Sequence, residues 1–559
     1  MSFPNPYPIT GIQSPQPEIR YNINQFSTAP ELATRFNLYL VGLGRLQAYG
    51  EGSEVPLGYY QIAGIHGVPY IHWMEKVDPE DRPGDYCTHG SALFLTWHRP
   101  YLLLLESDIK QQRIVEEALL VVKDYPEDVR QHYIDEASKI RIPYWDWATD
   151  ATLPHAVLGT EVDIHLPTLT SSQPVKATIR NPLNLYQFQS YERRVRDFSL
   201  TGYPEFVAED TTKRCPDLKY KSRPEVADEQ LKAATVLDSD GVSLRDAIFH
   251  LLNNTNLSYG SFGNTGWHKA RGETEFLSLE SCHNTIHNLV GTDLRKKQDC
   301  RTPKDKKIPE GHMTEVPVSA FDPIFCHANV DRIPTKIWTS SMVQKSGNEK
   351  PTCFTYNYYY PELDPTLNEA QQSAHVLNEV YVLYGAVDAA APPPDADKTF
   401  RPIHRAHIPA GLDLSADAIY RREWIVIIRV GKFLVQGNFN VFFFLGKEET
   451  DVDEWSTSKN LVGTFHTFKS QTDQCGNCAG QERNGAITCG GIHITAPLAN
   501  KLEGGTTLHD ADDVAKYIEQ NLFWKVLRND FVELDPATLV TNGEESLHIG
   551  VAEDQYEIG

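Results

Sequence analysis

The chain lacks any uninterrupted apolar run of the roughly eighteen residues that a membrane-crossing helix requires, which argues against spanning helices. It also lacks a positive balance: 52 Lys plus Arg stand against 75 Asp plus Glu, a net charge of -23. Such a surface repels phosphate backbones and anionic lipid, so neither nucleic acid nor a membrane is an expected partner. Cysteine is thinly spread and odd in number, 9 in 559 residues. That excludes the disulfide framework of a small secreted domain and leaves reduced thiols as the default. The opening Met1-Ser-Phe-Pro-Asn-Pro-Tyr-Pro has neither the basic start nor the apolar stretch of a secretory signal, and the expected location is intracellular, in the cytoplasm. The triplets Asn253-Asn-Thr and Asn256-Leu-Ser are read as neutral, because such sequons arise by chance. No internal repeat is present.

What remains is a globular composition, 40% apolar and 23% charged, on a chain too long for one ordinary core, so two domains are expected. Helical patterning dominates the first part, over Phe94 to Gln112, Asp124 to Ile140, Ser243 to Leu252 and Glu275 to Val290. A small-residue, Pro-rich segment follows, Gly385-Ala-Val-Asp-Ala-Ala-Ala-Pro-Pro-Pro-Asp-Ala-Asp, with the composition of an extended linker. Beyond it the pattern changes to short β-branched and aromatic runs between turns: Trp424 to Val430, Phe433 to Gly437, Phe439 to Phe444 and Ile492 to Thr495. The expected organisation is a mainly α domain over 1–384, a linker over 385–399 and a β-sandwich over 400–559.

Histidines carry the strongest chemical signal. His89 and His98 flank the start of an apolar helical run ending at Glu106. At about 100° per residue, nine positions put them on opposite helix faces, so His89 belongs on the loop before the helix. His66, in Gly64-Ile-His66-Gly-Val-Pro, completes a possible three-imidazole set. His283 and His287 are four apart, on one helix face about a turn apart, which suits two ligands of one metal. His327, in Phe321-Asp-Pro-Ile-Phe-Cys-His327-Ala-Asn-Val-Asp331-Arg332, is the third candidate of that set, with Asp331 four residues on able to hydrogen-bond and orient the local structure. An isolated His-x-x-x-His is common by chance. Two three-imidazole sets without carboxylate or thiolate suit copper, zinc or nickel, and the pairing favours copper and dioxygen chemistry.

With these residues in view, the sequence resembles the type-3 copper proteins, most closely the fungal tyrosinases that carry a C-terminal domain, and the resemblance runs nearly the whole chain. Thr-Trp-His98-Arg-Pro-Tyr is specific to that family. The resemblance implies a four-helix bundle around two copper ions, with His66, His89 and His98 on the first and His283, His287 and His327 on the second. It implies a thioether between Cys87 and His89, the bland alternative being a buried thiol. It makes Glu280 and Asn284 the pair that holds a water for deprotonating a monophenol, where a solvent-facing or locally capping Glu280 is the alternative. Tyr356-Asn-Tyr-Tyr-Tyr-Pro361 resembles the motif closing the catalytic domain, or else is ordinary aromatic packing.

In the tail, Cys475-Gly-Asn-Cys478 resembles a copper-delivery pair; a redox disulfide and a zinc half-site stay open. Phe465 or Phe468 is the candidate aromatic placed over the coppers as a plug. One departure stands out: only Cys326-His327 separates Phe325 from Ala328, where the family has two more residues, including a second histidine. The implied activity is oxidation of phenols such as tyrosine by dioxygen to o-quinones, in melanin or pigment formation, from a latent proenzyme. The rivals are a catechol oxidase without hydroxylation, a haemocyanin-like oxygen carrier, and an inactive relative with a damaged second site. A homo-oligomer is left open.

Overall fold

The computed structural model describes residues 9, 18–52, 56–67, 73, 88–106, 114–198, 207–208, 210–215, 221–235, 244–254, 257–266, 277–291, 326–328, 334–337, 358–359, 368–384, 413–414, 419–452, 454–469, 476–502, 511–529, 532–540, 543 and 546–558. Among them, no helix is long and apolar enough to cross a membrane. The 385–399 linker lies outside the described residues.

The first part is helical. Its longer helices are α1 (Ala33–Gln47), α2 (Tyr59–His66), α3 (Phe94–Glu106), α4 (Ile114–Val122), α5 (Glu127–Ser138), α6 (Pro224–Thr235), α7 (Leu244–Asn253), α8 (Leu279–Gly291) and α9 (Glu369–Tyr384). Phe36, Leu40 and Leu43 line one face of α1, and Ile114, Ala118 and Val122 line one face of α4; both rows enter a single buried cluster, as spacings of three and four require. Gly42 lets the two helices meet, since a Cβ there would lie 2.3 Å from the Ile114 carbonyl oxygen.

Short strands interrupt this helical half. A two-residue strand, β1 (Glu18–Ile19), pairs in parallel with β6 (Tyr358–Tyr359), so the tyrosine-rich motif meets the beginning of the chain. The antiparallel hairpin β2 (Glu161–Thr168) and β3 (Ser171–Arg180) was not anticipated. Its signal is the alternation Val162, Ile164, Leu166, whose last two side chains are buried in the α1–α4 cluster. His327 lies on β4 (Cys326–Ala328), antiparallel to β5 (Pro334–Ile337). Cys326 and His327, directly before Ala-Asn-Val-Asp-Arg, are therefore extended. The side chain of His327 lies outside the described residues.

The tail is a pair of antiparallel sheets. One holds β8 (Ile419–Gly431) between β11 (Ile487–His493) and β14 (His548–Ile558), with β7 (Asp413–Leu414) also on β8. The other runs β10 (Leu461–His466), β9 (Phe439–Leu445), β12 (Leu522–Arg528), β13 (Glu533–Leu534). Val426, Ile428 and Val430 of β8 pack with Phe439, Val441, Phe443 and Leu445 of β9 in the sandwich interior. Helices α10 (Gly476–Arg483), α11 (Thr495–Lys501), α12 (Ala511–Asn521) and the short α13 (Pro536–Leu539) lie in the tail as well. Two expected strands need correction. Phe433 to Gly437 is a turn, entered by a bond from Leu434 N to Gly431 O and left through Gly437 at φ +79°, because the chain crosses there from one sheet to the other. Ile492 to Thr495 divides, the strand ending at His493 and α11 starting at Thr495.

Every residue of β9 is buried. The residues alternating with the sandwich set, Phe442 and Phe444, face Ile286, Leu289 and Val290 of α8 and Val226, Ala227 and Leu231 of α6, together with Trp455. One strand thus serves the sandwich core and the seam between the two halves, by the two-residue period of side chains along a strand.

Replacing Gly42 by Ala should force α1 and α4 apart and cost about 1–3 kcal/mol. Gly44→Ala, whose Cβ meets nothing closer than 3.9 Å, should be neutral or stabilising. Urea unfolding of the two variants checks the contrast, and equal losses would refute the close-approach assignment.

Candidate metal centre

His66 is the last residue of α2, His98 lies in the first turns of α3, and His283 and His287 lie one turn apart on α8. His89 is on the irregular segment before α3, as the helical arithmetic requires. These histidines converge. Ring centroids are 5.2 Å apart for His66 and His98, 5.6 Å for His89 and His98, 5.2 Å for His89 and His283, 4.3 Å for His283 and His287, and 6.1 Å for His66 and His287. Ligating atoms of His66, His98 and His283 all lie within 4.8 Å of one another, so the two expected sets adjoin.

The chemistry of this donor set fits a metal. His66 Nε2 and His98 Nε2 are 3.2 Å apart, close to the ~3.3 Å between two imidazole nitrogens bonded at about 2.0–2.1 Å to one tetrahedral ion. Burial pushes the pKa of His66, His89 and His283 well below the usual imidazole range, neighbouring imidazoles adding to the effect, and holds that of His98 at about 4. The imidazoles are therefore neutral at physiological pH, the state that binds metal. Two of them are oriented from behind: His98 Nδ1 lies 2.6 Å from the Phe94 carbonyl one turn earlier, and His283 Nδ1 lies 3.0 Å from Asn284 Oδ1. Donation through Nδ1 leaves each Nε2 as the ligating atom.

Glu280, in the first turn of α8, is 1% exposed. Its Oε1 accepts from Gly90 N at 2.6 Å and its Oε2 from Thr265 N at 2.9 Å. Burial raises its pKa above the ordinary carboxyl value; the backbone donors and the nearby Lys432 pull the other way. Asn284 is buried one residue beyond His283.

The tail reaches this cluster. The Phe468 ring lies 5.2 Å from that of His89, 5.3 Å from His287 and 6.1 Å from His283. Phe465 does not: its ring fills the space over Gly490, where a Cβ would come within 2.5 Å of it, in the sandwich. Cys478 is buried on α10, whereas Cys87 and Cys475 lie outside the described residues. Sequence reasoning missed three residues. The Phe94 ring wedges among His98, His283 and His89 at 4.7, 5.1 and 5.5 Å; its place four residues before His98 was the available signal. Gln481 and Lys432 come from the tail and left no signal, because nothing local distinguishes a residue that docks across domains.

Residues 56–341 match the family description "common central domain of tyrosinase", and residues 423–551 match "tyrosinase C-terminal domain". The chain is 28% identical to a tyrosinase of Podospora anserina, over 84% of this chain and 91% of that one. It is 26% identical to polyphenol oxidase 4 of Agaricus bisporus, over 89% and 79%. Its fold is shared with a solved recombinant mushroom tyrosinase, at TM-score 0.71 and 22% identity, covering 99% of this chain and 95% of that one. An apo-protyrosinase of Aspergillus oryzae gives TM-score 0.68 at 21% identity, covering 99% and 94%.

A lowered histidine pKa has a definite sign. As pH falls below about 6.5 the unfolded chain takes up protons that the folded cluster refuses, so metal-free stability should fall from near pH 6.5 towards pH 4. Denaturant midpoints at pH 7 and pH 5 should differ less for His98→Gln than for the parent chain. An equal difference would contradict the shift at His98.

Proposed function

The chain belongs to the tyrosinase family, binuclear copper oxidoreductases that act on phenols with dioxygen, and we propose that it hydroxylates monophenols such as tyrosine to o-diphenols and oxidises these to o-quinones, in melanin or pigment biosynthesis, from a latent proenzyme. The observation that carries this reading is the five-imidazole cluster, with Glu280 and Asn284 beside it and an aromatic ring of the tail over it. His66, His89 and His98 would hold one copper, and His283 and His287, with His327, the other. Bound there, copper supplies dioxygen binding and electron transfer.

The chain's own groups do the rest. A phenol ionises near pKa 10, so its proton must be taken before its oxygen can bind as phenolate. Glu280 is the group for this, through a water held with Asn284; burial among donors fixes where its oxygens point. A thioether from Cys87 would immobilise the His89 ring. Cys475 and Cys478 would pass copper inward. Cys478 stands three residues before Gln481, hence near it on one side of α10, and Gln481 Nε2 donates to the His89 carbonyl at 3.1 Å. Phe468 would occupy the place of a substrate ring, so that activity waits on release of the tail after cutting in the 385–399 linker.

A catechol oxidase lacking the hydroxylation step is the second reading. It is favoured by one observation: both oxygens of Glu280 already accept backbone N–H groups, the pattern of a structural carboxylate.

Copper-loaded chain cut in the linker should consume oxygen with tyrosine and with a catechol far faster than uncut chain. Absence of uptake with both substrates would sink the proposal. In the cut enzyme Glu280→Gln should lower monophenol turnover by about 10²-fold or more with a much smaller change on catechol. Equal losses on both would favour the second reading.

A further inference from the structure

Glu280 receives two backbone hydrogen bonds, from residues 90 and 265, in segments that the tail also bonds. The N–H of Gly90 and the carbonyl of His89 belong to one peptide unit: the N–H donates to Glu280 Oε1, and the carbonyl accepts from Gln481 Nε2 on α10. Gln481 is in turn fixed by Lys432, whose buried ammonium donates to Gln481 Oε1 at 2.9 Å. On the other side Thr265 N donates to Glu280 Oε2, while the Thr265 carbonyl accepts from Cys489 N of β11 at 3.1 Å. A closed path therefore runs from the tail, through two segments of the catalytic half, to the carboxylate between them.

The His89–Gly90 peptide is suited to turning over. Gly90 sits at φ +64°, in the left-handed region, and glycine takes the opposite sign of φ at no steric cost. A Cβ built on Gly90 would meet nothing within 4 Å, whereas one on Gly266 would come within 2.5 Å of the Gly90 carbonyl oxygen. The segment is thus closely packed on one side and conformationally permissive at Gly90. Hydrogen bonds at both ends of the peptide, one to Gln481 and one to Glu280, hold its plane.

We propose that Gln481, braced by Lys432, is a positioning residue for Glu280: it keeps the His89–Gly90 peptide turned so that its N–H occupies Oε1. Docking of the tail then inhibits in two separable ways. Phe468 takes the space of the ring, and the Gln481 chain takes the carboxylate oxygen that a proton-accepting water needs. This rests on the reading of Glu280 as the group that serves monophenol deprotonation.

The test uses the uncut, copper-loaded chain with its pocket opened by Phe468→Ala, and adds Gln481→Ala, Gln481→Glu or Lys432→Met. Gln481→Glu keeps the shape and loses the donor. Two readouts are taken: hydrogen exchange at the Gly90 amide, and the ratio of turnover on 4-tert-butylphenol to that on 4-tert-butylcatechol. Each Gln481 variant should speed Gly90 exchange by about tenfold or more, relative to α8 and β9 amides in the same sample, and raise the ratio by about three- to tenfold; Lys432→Met should do the same to a smaller degree. Unchanged exchange at Gly90 in both Gln481 variants overturns the positioning role. Faster exchange with an unmoved ratio overturns the link to Glu280. Glu280→Gln in the Phe468→Ala background separates the two ideas. If it leaves the ratio unmoved, the reading of Glu280 fails by itself, and Gly90 exchange still decides whether Gln481 holds the peptide.

Discussion

The position of α8 depends on a strand that belongs to the other half of the molecule. At about 100° per residue, Leu289 lies on the side of α8 away from Glu280, His283 and His287, and together with Ile286 and Val290 it is packed in one cluster with Phe442 and Phe444 of β9. The helix presenting two of the site's imidazoles is therefore backed by the tail. Because β9 also carries Phe439, Val441, Phe443 and Leu445 into the sandwich, its place is set by both layers at once. Hydrophobic burial on two sides of one strand fixes the registry of the catalytic half against the tail, and polar contacts such as Gln481 to His89 are made within that frame.

Inside this frame the electrostatics are those of neutral donors. Several imidazoles cannot be charged together in a buried cluster, and burial resolves the conflict by keeping them deprotonated. Neutral rings then need their directions set by hydrogen bonds, which the Phe94 carbonyl and Asn284 supply to His98 and His283. Glu280 meets the complementary problem. A buried carboxylate is costly unless donors surround it, and two backbone N–H groups do so. Satisfying that carboxylate ties the His89 segment to α8 and to the residues near Thr265, so the need to pay for one buried charge organises three separate stretches of chain.

Much of this was legible in the sequence. The helical half, the sandwich, the loop placement of His89 and the shared face of His283 and His287 follow from periodicity, which reports local geometry directly. The hairpin at Glu161–Arg180 was hidden because its alternation is short and sits in a largely helical context. Phe433 to Gly437 misled because apolar content alone does not distinguish a strand from a turn that buries Val435. Choosing Phe468 over Phe465 needed a long-range fact. The residues are three apart near the end of one strand, and only the docking of tail on helices decides which ring faces the imidazoles. Gln481 and Lys432 were illegible for the same reason, being ordinary polar residues whose roles arise from contact between distant parts of the chain.

The apolar seam at Phe442, Phe444 and Trp455 bears on timing. Cutting a linker removes a covalent tether, yet it leaves these rings buried against α6 and α8, and nothing in the cut itself weakens that contact. On the proposed reading of latency, a nicked molecule stays silent until the seam opens by thermal fluctuation, so the delay between cleavage and catalysis is a dissociation lifetime. The tail then works as a clock as well as a cover. On the same reading, release would expose to water the apolar side chains of α6 and α8 that the seam now covers, Leu231, Ile286 and Leu289 among them.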